Sequence, residues 1–308
     1  MKLPGASKLA LAAAALALLF PFFCRFQPYA LFIAAEFATF AIVALGLDVL
    51  MGRTGQISLG QGGFFAIGAY TAAILVWRAR VDLVVAFVAA TALAALLSLV
   101  LGIPATRLRG HYLAIVTLGF GIAVAQVALK WTALTNGDEG VHLTAPHFAG
   151  LAAGSPVALY AIAVVALGIV AWLAHRLPHT RLGRSFEAIR DSEVAAAAMG
   201  IDVARGKVIA FGLSAAAAGF AGAVYAALTG FVAPEDFGLQ QALLFFAMVI
   251  VGGTASTVGT ILGAFALDAV AQAAATLSGL PLVLIGAAIV TVALFRPSGL
   301  KALVAKGA

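Results

Sequence analysis

Long apolar runs separated by short polar breaks make up nearly the whole chain, and runs of 15 to 22 residues show no two-residue alternation. A helix crossing a bilayer takes about 20 apolar residues, whereas a membrane β-barrel is written in alternating segments of about ten. The pattern predicts helices over Leu9–Phe23, Tyr29–Leu50, Gly63–Trp77, Leu83–Pro104, Tyr112–Trp131, Val157–Ala174, Val208–Leu228, Gln240–Gly252, Val258–Leu277 and Leu282–Phe295, about ten in all. The Gly63–Trp77 and Gln240–Gly252 runs are short for a full crossing. The first run follows a basic Met1–Lys8 but ends in Pro-Phe-Phe-Cys with no small-residue cleavage pattern, so it reads as a retained helix and not a signal peptide.

Composition sharpens this picture. Of 308 residues, 64% are hydrophobic and only 10% charged, against about a quarter charged in soluble domains. Most helix faces must therefore meet lipid or one another. The fold class is an all-α integral membrane protein: a polytopic bundle forming one domain over 1–308, with broken or re-entrant glycine-rich segments. The 33 glycines suit such a bundle, because small residues let helices approach closely, as Gly259-x-x-x-Gly263 and Gly219-x-x-Gly222 would. Cys24 is alone and forms no internal disulfide.

The net charge of +6 invites a nucleic-acid reading, but no basic face with interleaved aromatics is present. Topology accounts for it better. With a cytoplasmic N-terminus and alternating spans, 14 of the 18 Lys and Arg residues fall inside and only Arg25, Arg78, Arg80 and Lys130 fall outside. The positive-inside rule then puts both termini and the 175–207 loop in the cytoplasm, and Asp138, Glu139, Glu235 and Asp236 on the outer side.

Four stretches could carry chemistry. The loop His175–Lys207 holds ten of the thirty charged residues. Within it Asp191 or Ser192 can cap a short helix, Glu193–Met199, which Gly200 stops in the left-handed conformation; Ile201 follows as an exposed apolar residue and Asp202 caps the next helix. Helix, sharp turn, helix describes either a knob for a partner's groove, with Met199 and Ile201 as anchors, or an amphipathic connector on lipid headgroups helped by Arg184 and Arg190. The second stretch, Gly52-Arg-Thr-Gly-Gln-Ile-Ser-Leu-Gly-Gln-Gly-Gly-Phe64, cannot be a regular lipid-facing helix. Broken backbone at membrane depth is tolerated only inside protein or along a cavity, so Gln56, Ser58 and Gln61 either contact a solute in transit or pack structurally. It is no nucleotide-binding loop, since the Gly-Lys-Ser/Thr ending is missing.

The third is Arg107–Gly121, whose Arg107 and Arg109 anchor a helix carrying Thr117. The fourth, Thr135–Val141, opens an outer loop with turn chemistry at Asn136-Gly137. Intramembrane carboxylates are functional hypotheses by default; Glu36 lies deep, Asp268 lies in a later span, and Asp48 sits close enough to a helix end to reach water. The five histidines have no metal-ligand spacing, and no Ser/His/Asp set shares a face, so no metal, cofactor or enzyme chemistry is expected of this chain.

Gly55-Gln-Ile-Ser-Leu-Gly-Gln-Gly-Gly-Phe-Phe-Ala-Ile-Gly-Ala-Tyr70, Leu108–Gly121, Thr135-Asn-Gly-Asp-Glu-Gly140 and Arg181-Leu-Gly-Arg-Ser-Phe-Glu-Ala-Ile-Arg-Asp-Ser-Glu-Val-Ala-Ala stand in order over about Gly52–Gly253. Together they resemble the LivM-type permease of bacterial branched-chain amino acid ABC importers. The resemblance implies a multi-pass subunit of the bacterial inner membrane, paired with a second, LivH-type permease and contacting lipid. Two ATPase subunits, which use ATP and Mg, and a periplasmic solute-binding protein complete the importer. It also implies that Arg190, Glu193, Ala196, Met199, Gly200 and Ile201 form the ATPase-coupling element. The family pattern has Gly six residues after a Glu; here Gly200 is seven after Glu193, and Val194 stands at that position. Glu36, Gln56, Ser58, Gln61 and Thr117 are the expected translocation-pathway residues. Related permeases for urea, amides or aromatic acids fit equally, and an ion-coupled secondary transporter using Glu36 or Asp268 is the rival of another class.

Overall fold

A computed structural model describes residues 20, 27–105, 110–143, 147–148, 151–152 and 154–274, with 283–284, 286–287, 290–291, 294 and 299–300. Its long helices are α1 (Pro28–Thr54), α2 (Gln61–Ala79), α3 (Leu83–Ala105), α4 (His111–Lys130), α5 (Pro156–Arg176), and, after two short loop helices α6 (Arg181–Asp191) and α7 (Glu193–Ala198), α8 (Val203–Thr229). Two shorter apolar helices, α9 (Leu239–Gly252) and α10 (Thr257–Ala274), follow. Among the described residues, six helices are long and apolar enough to cross a membrane. Eight of the ten expected spans are thus helices, and those expected at Leu9–Phe23 and Leu282–Phe295 lie outside the described residues, Phe20 and scattered positions between 283 and 294 apart. The Gly63–Trp77 run is longer than its hydropathy suggested: α2 takes in Gln61 and Arg78 and reaches 19 residues.

Helix ends follow local chemistry. Pro28 and Pro156 occupy first turns, where a missing N–H costs nothing. Ser155 caps α5 by accepting from the Ala158 N–H at 3.2 Å, and Gly55 (φ 71°) stops α1. Around the bundle's middle, α8 touches α1, α2 and α3 through small residues. The Cβ absent from Gly68 would overlap the backbone of Gly219, and one on Gly222 would overlap Phe65 O and lie 2.8 Å from Ala69 N. The Gly259-x-x-x-Gly263 motif works likewise against Gly252, where an added Cβ would come within 2.5 Å of Gly259 O. Aromatic rings fill what the glycines leave; Phe65 packs edge-on to Phe245 at 5.4 Å between centroids.

Side-chain contacts fix which ends share a side. Arg53, at the end of α1, pairs with Glu187 of α6 at 3.0 Å, placing the α1 C-terminus beside the 175–207 loop. At the other side Arg78 donates to Ala133 O at 2.6 Å, and two-residue strands pair Val141 with Val232 and His142 with Phe231. These strands and a second pair, at 147–148 and 151–152, are the only strands among the described residues. Alternating crossings require this partition. α9 and α10 form a hairpin whose turn does not leave the protein: the Ala255 N–H donates to Asp48 Oδ1 at 2.7 Å. Asp48, expected to reach water from a helix end, is 3% exposed because it caps this half-buried turn.

Candidate functional site

The loop between α5 and α8 is a built structure. Thr180 caps α6 through the Gly183 N–H at 3.1 Å, and Phe186 and Ile189 bury its inner face. Gly206 admits that face, since a Cβ there would sit 2.5 Å from Ile189 Cδ1. Three polar contacts then tie the loop to the bundle. Arg53 binds Glu187; Arg190 Nη1 donates to Gly52 O at 3.0 Å; and Lys207 Nζ meets Glu193 Oε1 at 2.6 Å, with the lysine side chain 4% exposed and the glutamate 37%.

On this base stands the knob. Ser192, of the two residues expected to cap it, accepts from the Ala195 N–H at 3.2 Å. Gly200 (φ 82°) closes it: its N–H donates to Ala197 O at 3.0 Å and the Ile201 N–H to Ala196 O at 3.0 Å, which is the Schellman arrangement. Asp202 caps α8 as expected, through the Arg205 N–H at 2.9 Å, so α8 starts at Val203, five residues before the apolar span that begins at Val208. Met199 and Val194 stand 83% and 78% exposed at the tip.

Of the six residues expected to couple to an ATPase, the structure therefore presents Arg190, Met199 and Gly200 outward. Ala196 is 3% exposed because it is the face on which the knob seats. Ile201, expected to be exposed, is half-buried, as the residue after a Schellman glycine folds back over the helix. Arg190 is exposed, its guanidinium shared between Gly52 O and Asp191 Oδ1 at 3.1 Å, whereas Glu193 is drawn toward the bundle by Lys207.

Behind the knob, the backbone runs broken from Gly55 to Gly60 into the bundle, and here four of the five pathway candidates meet. Gln56 Nε2 donates to Thr54 Oγ1 at 3.0 Å and to Lys207 O at 3.4 Å. The Leu59 N–H donates to Thr117 Oγ1 at 3.0 Å, the Gly60 N–H to Ser58 Oγ at 3.2 Å, and Gln61 Nε2 to Ser214 Oγ at 2.9 Å. All are buried, and the side-chain oxygens of Gln56 and Gln61 have no donor among the described residues. Beside them a small cleft of about 10 Å³ is lined by Leu59 and Gly62, by Leu118, Gly121 and Ile122 of α4, and by Phe237–Leu239 and Ala242. Glu36 does not join this cluster; it lies further back along α1 and accepts from Gln272 Nε2 of α10 at 2.6 Å. Arg53, Glu187, Lys207 and Ser214 are functional candidates that reasoning from the sequence missed. Three of them show in the sequence only as charges in the polar breaks between apolar runs.

Comparison with known proteins gives this arrangement a family. Residues 29–294 match the family described as the branched-chain amino acid transport system permease component. The high-affinity branched-chain amino acid transport system permease protein LivM of Escherichia coli (strain K12) is 35% identical over 285 residues, 85% of this chain and 67% of that protein. Its counterpart from Salmonella typhimurium is 34% identical over 292 residues, covering 87% and 69%. The ribose import permease protein RbsC of Escherichia coli (strain K12) is 31% identical over 236 residues, 74% and 71%. No solved structure matches. A polytopic helical bundle, a capped loop knob and a broken polar segment thus sit on a sequence matched along most of its length, and the chain belongs to the family of branched-chain amino acid transport permease components.

Proposed function

We propose that this chain is one permease half of an ATP-driven importer of branched-chain amino acids in the bacterial inner membrane. The observation that carries this reading is the knob. Two large apolar side chains stand almost fully in solvent at the tip of a capped, ion-paired loop, on the side where positive charge collects. Exposed apolar anchors of this kind mark protein contacts. The chain has no phosphate-binding loop of its own, so ATP and Mg act on separate ATPase subunits that grip Met199 and Val194. The outer loops held together by the Val141–Val232 pairing receive the solute from a periplasmic binding protein.

A second, LivH-type permease covers α4. Gly119, Ala123 and Gln126 lie on its exposed face. A small-x-x-x-small step lets another helix close on it, and a glutamine amide facing hydrocarbon is disfavoured unless a protein partner hydrogen-bonds it. The Leu59–Gly62 cleft opens beside that face, so the solute moves between the two permeases. Its branched side chain passes the apolar cleft wall, and its ammonium is taken up by the donor-less oxygens of Gln56 and Gln61 as the ATPases close. Remaining helix faces meet lipid.

The test is reconstitution in proteoliposomes. The chain with a second permease, ATPase subunits and binding protein takes up radiolabelled leucine only with internal or external ATP on the ATPase side. Uptake by this chain alone, or uptake indifferent to ATP, overturns the reading; uptake of urea or an aromatic acid in place of leucine overturns the solute.

A further inference from the structure

The ion pair between Glu193 and Lys207 is placed oddly for a stabilising contact. Lys207 is 3% exposed at the foot of a membrane helix, a site where an ammonium is disfavoured unless paired. Its partner, Glu193, is the first residue of α7 and moves with the knob. Lys207 is also where the knob's influence reaches the broken segment, because its carbonyl accepts from Gln56 Nε2. Gln56 in turn is held by Thr54, and its own N–H donates to Leu50 O at 3.2 Å. Four residues further along the same strand of backbone, the Gly60 N–H and Gln61 amide engage Ser58 and Ser214. A continuous polar chain therefore runs from knob to bundle interior: Glu193, Lys207, Gln56, then the Gly55–Gly60 backbone.

The neighbouring attachments do not duplicate it. Arg53–Glu187 and Arg190–Gly52 join α6 to the end of α1, and Ile189 against Gly206 joins α6 to α8. Each holds the base of the loop. Only Glu193 among the described residues links α7 itself to the bundle by a charged side chain.

We propose that Lys207 is a positioning residue of the transport cycle: its ion pair with Glu193 and its carbonyl bond from Gln56 carry displacement of the knob to the broken segment lining the solute path. This rests on the knob being the ATPase-docking element. When the ATPase draws α7 aside, a buried ammonium follows its carboxylate because separation leaves it unpaired in a low-dielectric site. The α8 backbone at 207 then shifts against Gln56, and the Gly55–Gly60 segment, with few helical hydrogen bonds to resist, moves with it.

The measurement is leucine taken up per ATP hydrolysed by the assembled importer in proteoliposomes. The neutral double variant Glu193→Gln with Lys207→Met removes both charges and leaves none buried. It is expected to assemble and hydrolyse ATP while uptake per ATP falls about tenfold, within the range of coupling between contacting residues. The exchanged pair Glu193→Lys with Lys207→Glu restores at least half of the loss, a rescue that simple damage to packing would not give. Wild-type uptake per ATP in the neutral double variant overturns the proposal. Should that variant fail to assemble, Gln56→Glu keeps the side-chain oxygens but loses the amide donor to Lys207 O, cutting the same chain at its other end, and an unchanged ratio again overturns the proposal. Met199→Asp keeps the two assignments apart: if ATPase binding survives it undiminished, the docking reading has failed, whereas loss of binding there with a normal ratio in the neutral double variant sinks only the Lys207 link.

Discussion

Substituting Gly200 isolates the contribution of one backbone angle. At φ 82° its backbone lies where a side chain is rarely tolerated, yet a Cβ there would find nothing within 4 Å. Substitution consequently strains the turn without a clash. The left-handed region costs a non-glycine residue about 1–2 kcal/mol, nearer 1 for Ala and nearer 2 for β-branched Val. The two turn bonds, Gly200 N–H to Ala197 O and Ile201 N–H to Ala196 O, depend on that angle, so the strain opens the turn. One to two kcal/mol shifts such an equilibrium by roughly 5- to 30-fold. An ATPase subunit docking as proposed must select the folded knob, so its affinity is expected to drop by up to the same factor.

The assay is binding of purified ATPase subunit to the permease in nanodiscs. Ala is expected at about 5-fold weaker and Val at about 30-fold, while Asn, which visits the left-handed region readily, stays within about threefold of wild type. Thermal unfolding of the membrane bundle should not move, since the knob lies outside it. Gly168→Ala, at an exposed helical position with nothing within 4 Å, is the inert control. Wild-type affinity for Val refutes the reasoning. So does Asn binding as poorly as Val, which would mean that side-chain volume at the contact, and not φ, sets the affinity.

Gly222→Val drives a side chain into Phe65 O and Ala69 N and should destabilise the bundle by about 3 kcal/mol, the upper range for overpacking, read as a lower unfolding temperature in detergent. Glu36→Gln keeps an oxygen to accept from Gln272 and is expected to retain more than half of ATP-driven uptake; loss of uptake would restore the ion-coupled reading. Burial pushes the Asp236 carboxyl above its ordinary 3.8, against the Ala233 N–H it accepts and with help from Glu235. The folded state therefore holds that proton more tightly than the unfolded one, and stability falls as pH rises from about 3.8 through the folded value. Asp236→Asn, which can still accept from Ala233, should accordingly raise the unfolding temperature at neutral pH and change it little below 3.8; equal gains at both would show that charge burial is not the cause.

What could be read from the sequence was whatever depends on near neighbours. Apolar run length determined the helices, because a crossing helix satisfies its own backbone within four residues. Ser192, Gly200 and Asp202 announced the knob because capping bonds span three to five residues, and Gly259-x-x-x-Gly263 announced close packing because one helical turn puts both on a face. The Gly52–Phe64 glycines foretold a broken segment on the same local ground. Which way the knob's residues point was decided elsewhere. Glu193 turns inward because Lys207 waits in a dry site at the foot of α8, and Asp48 is buried because a hairpin turn 207 residues away donates to it. Gln61 and Ser214, 153 residues apart, meet only because glycines on α2 and α8 let those helices touch. Hydrophobic period carries the position of a helix in the membrane but no record of its rotation against a neighbour, and it is that rotation which chose the partners of every buried charge and amide in the candidate site.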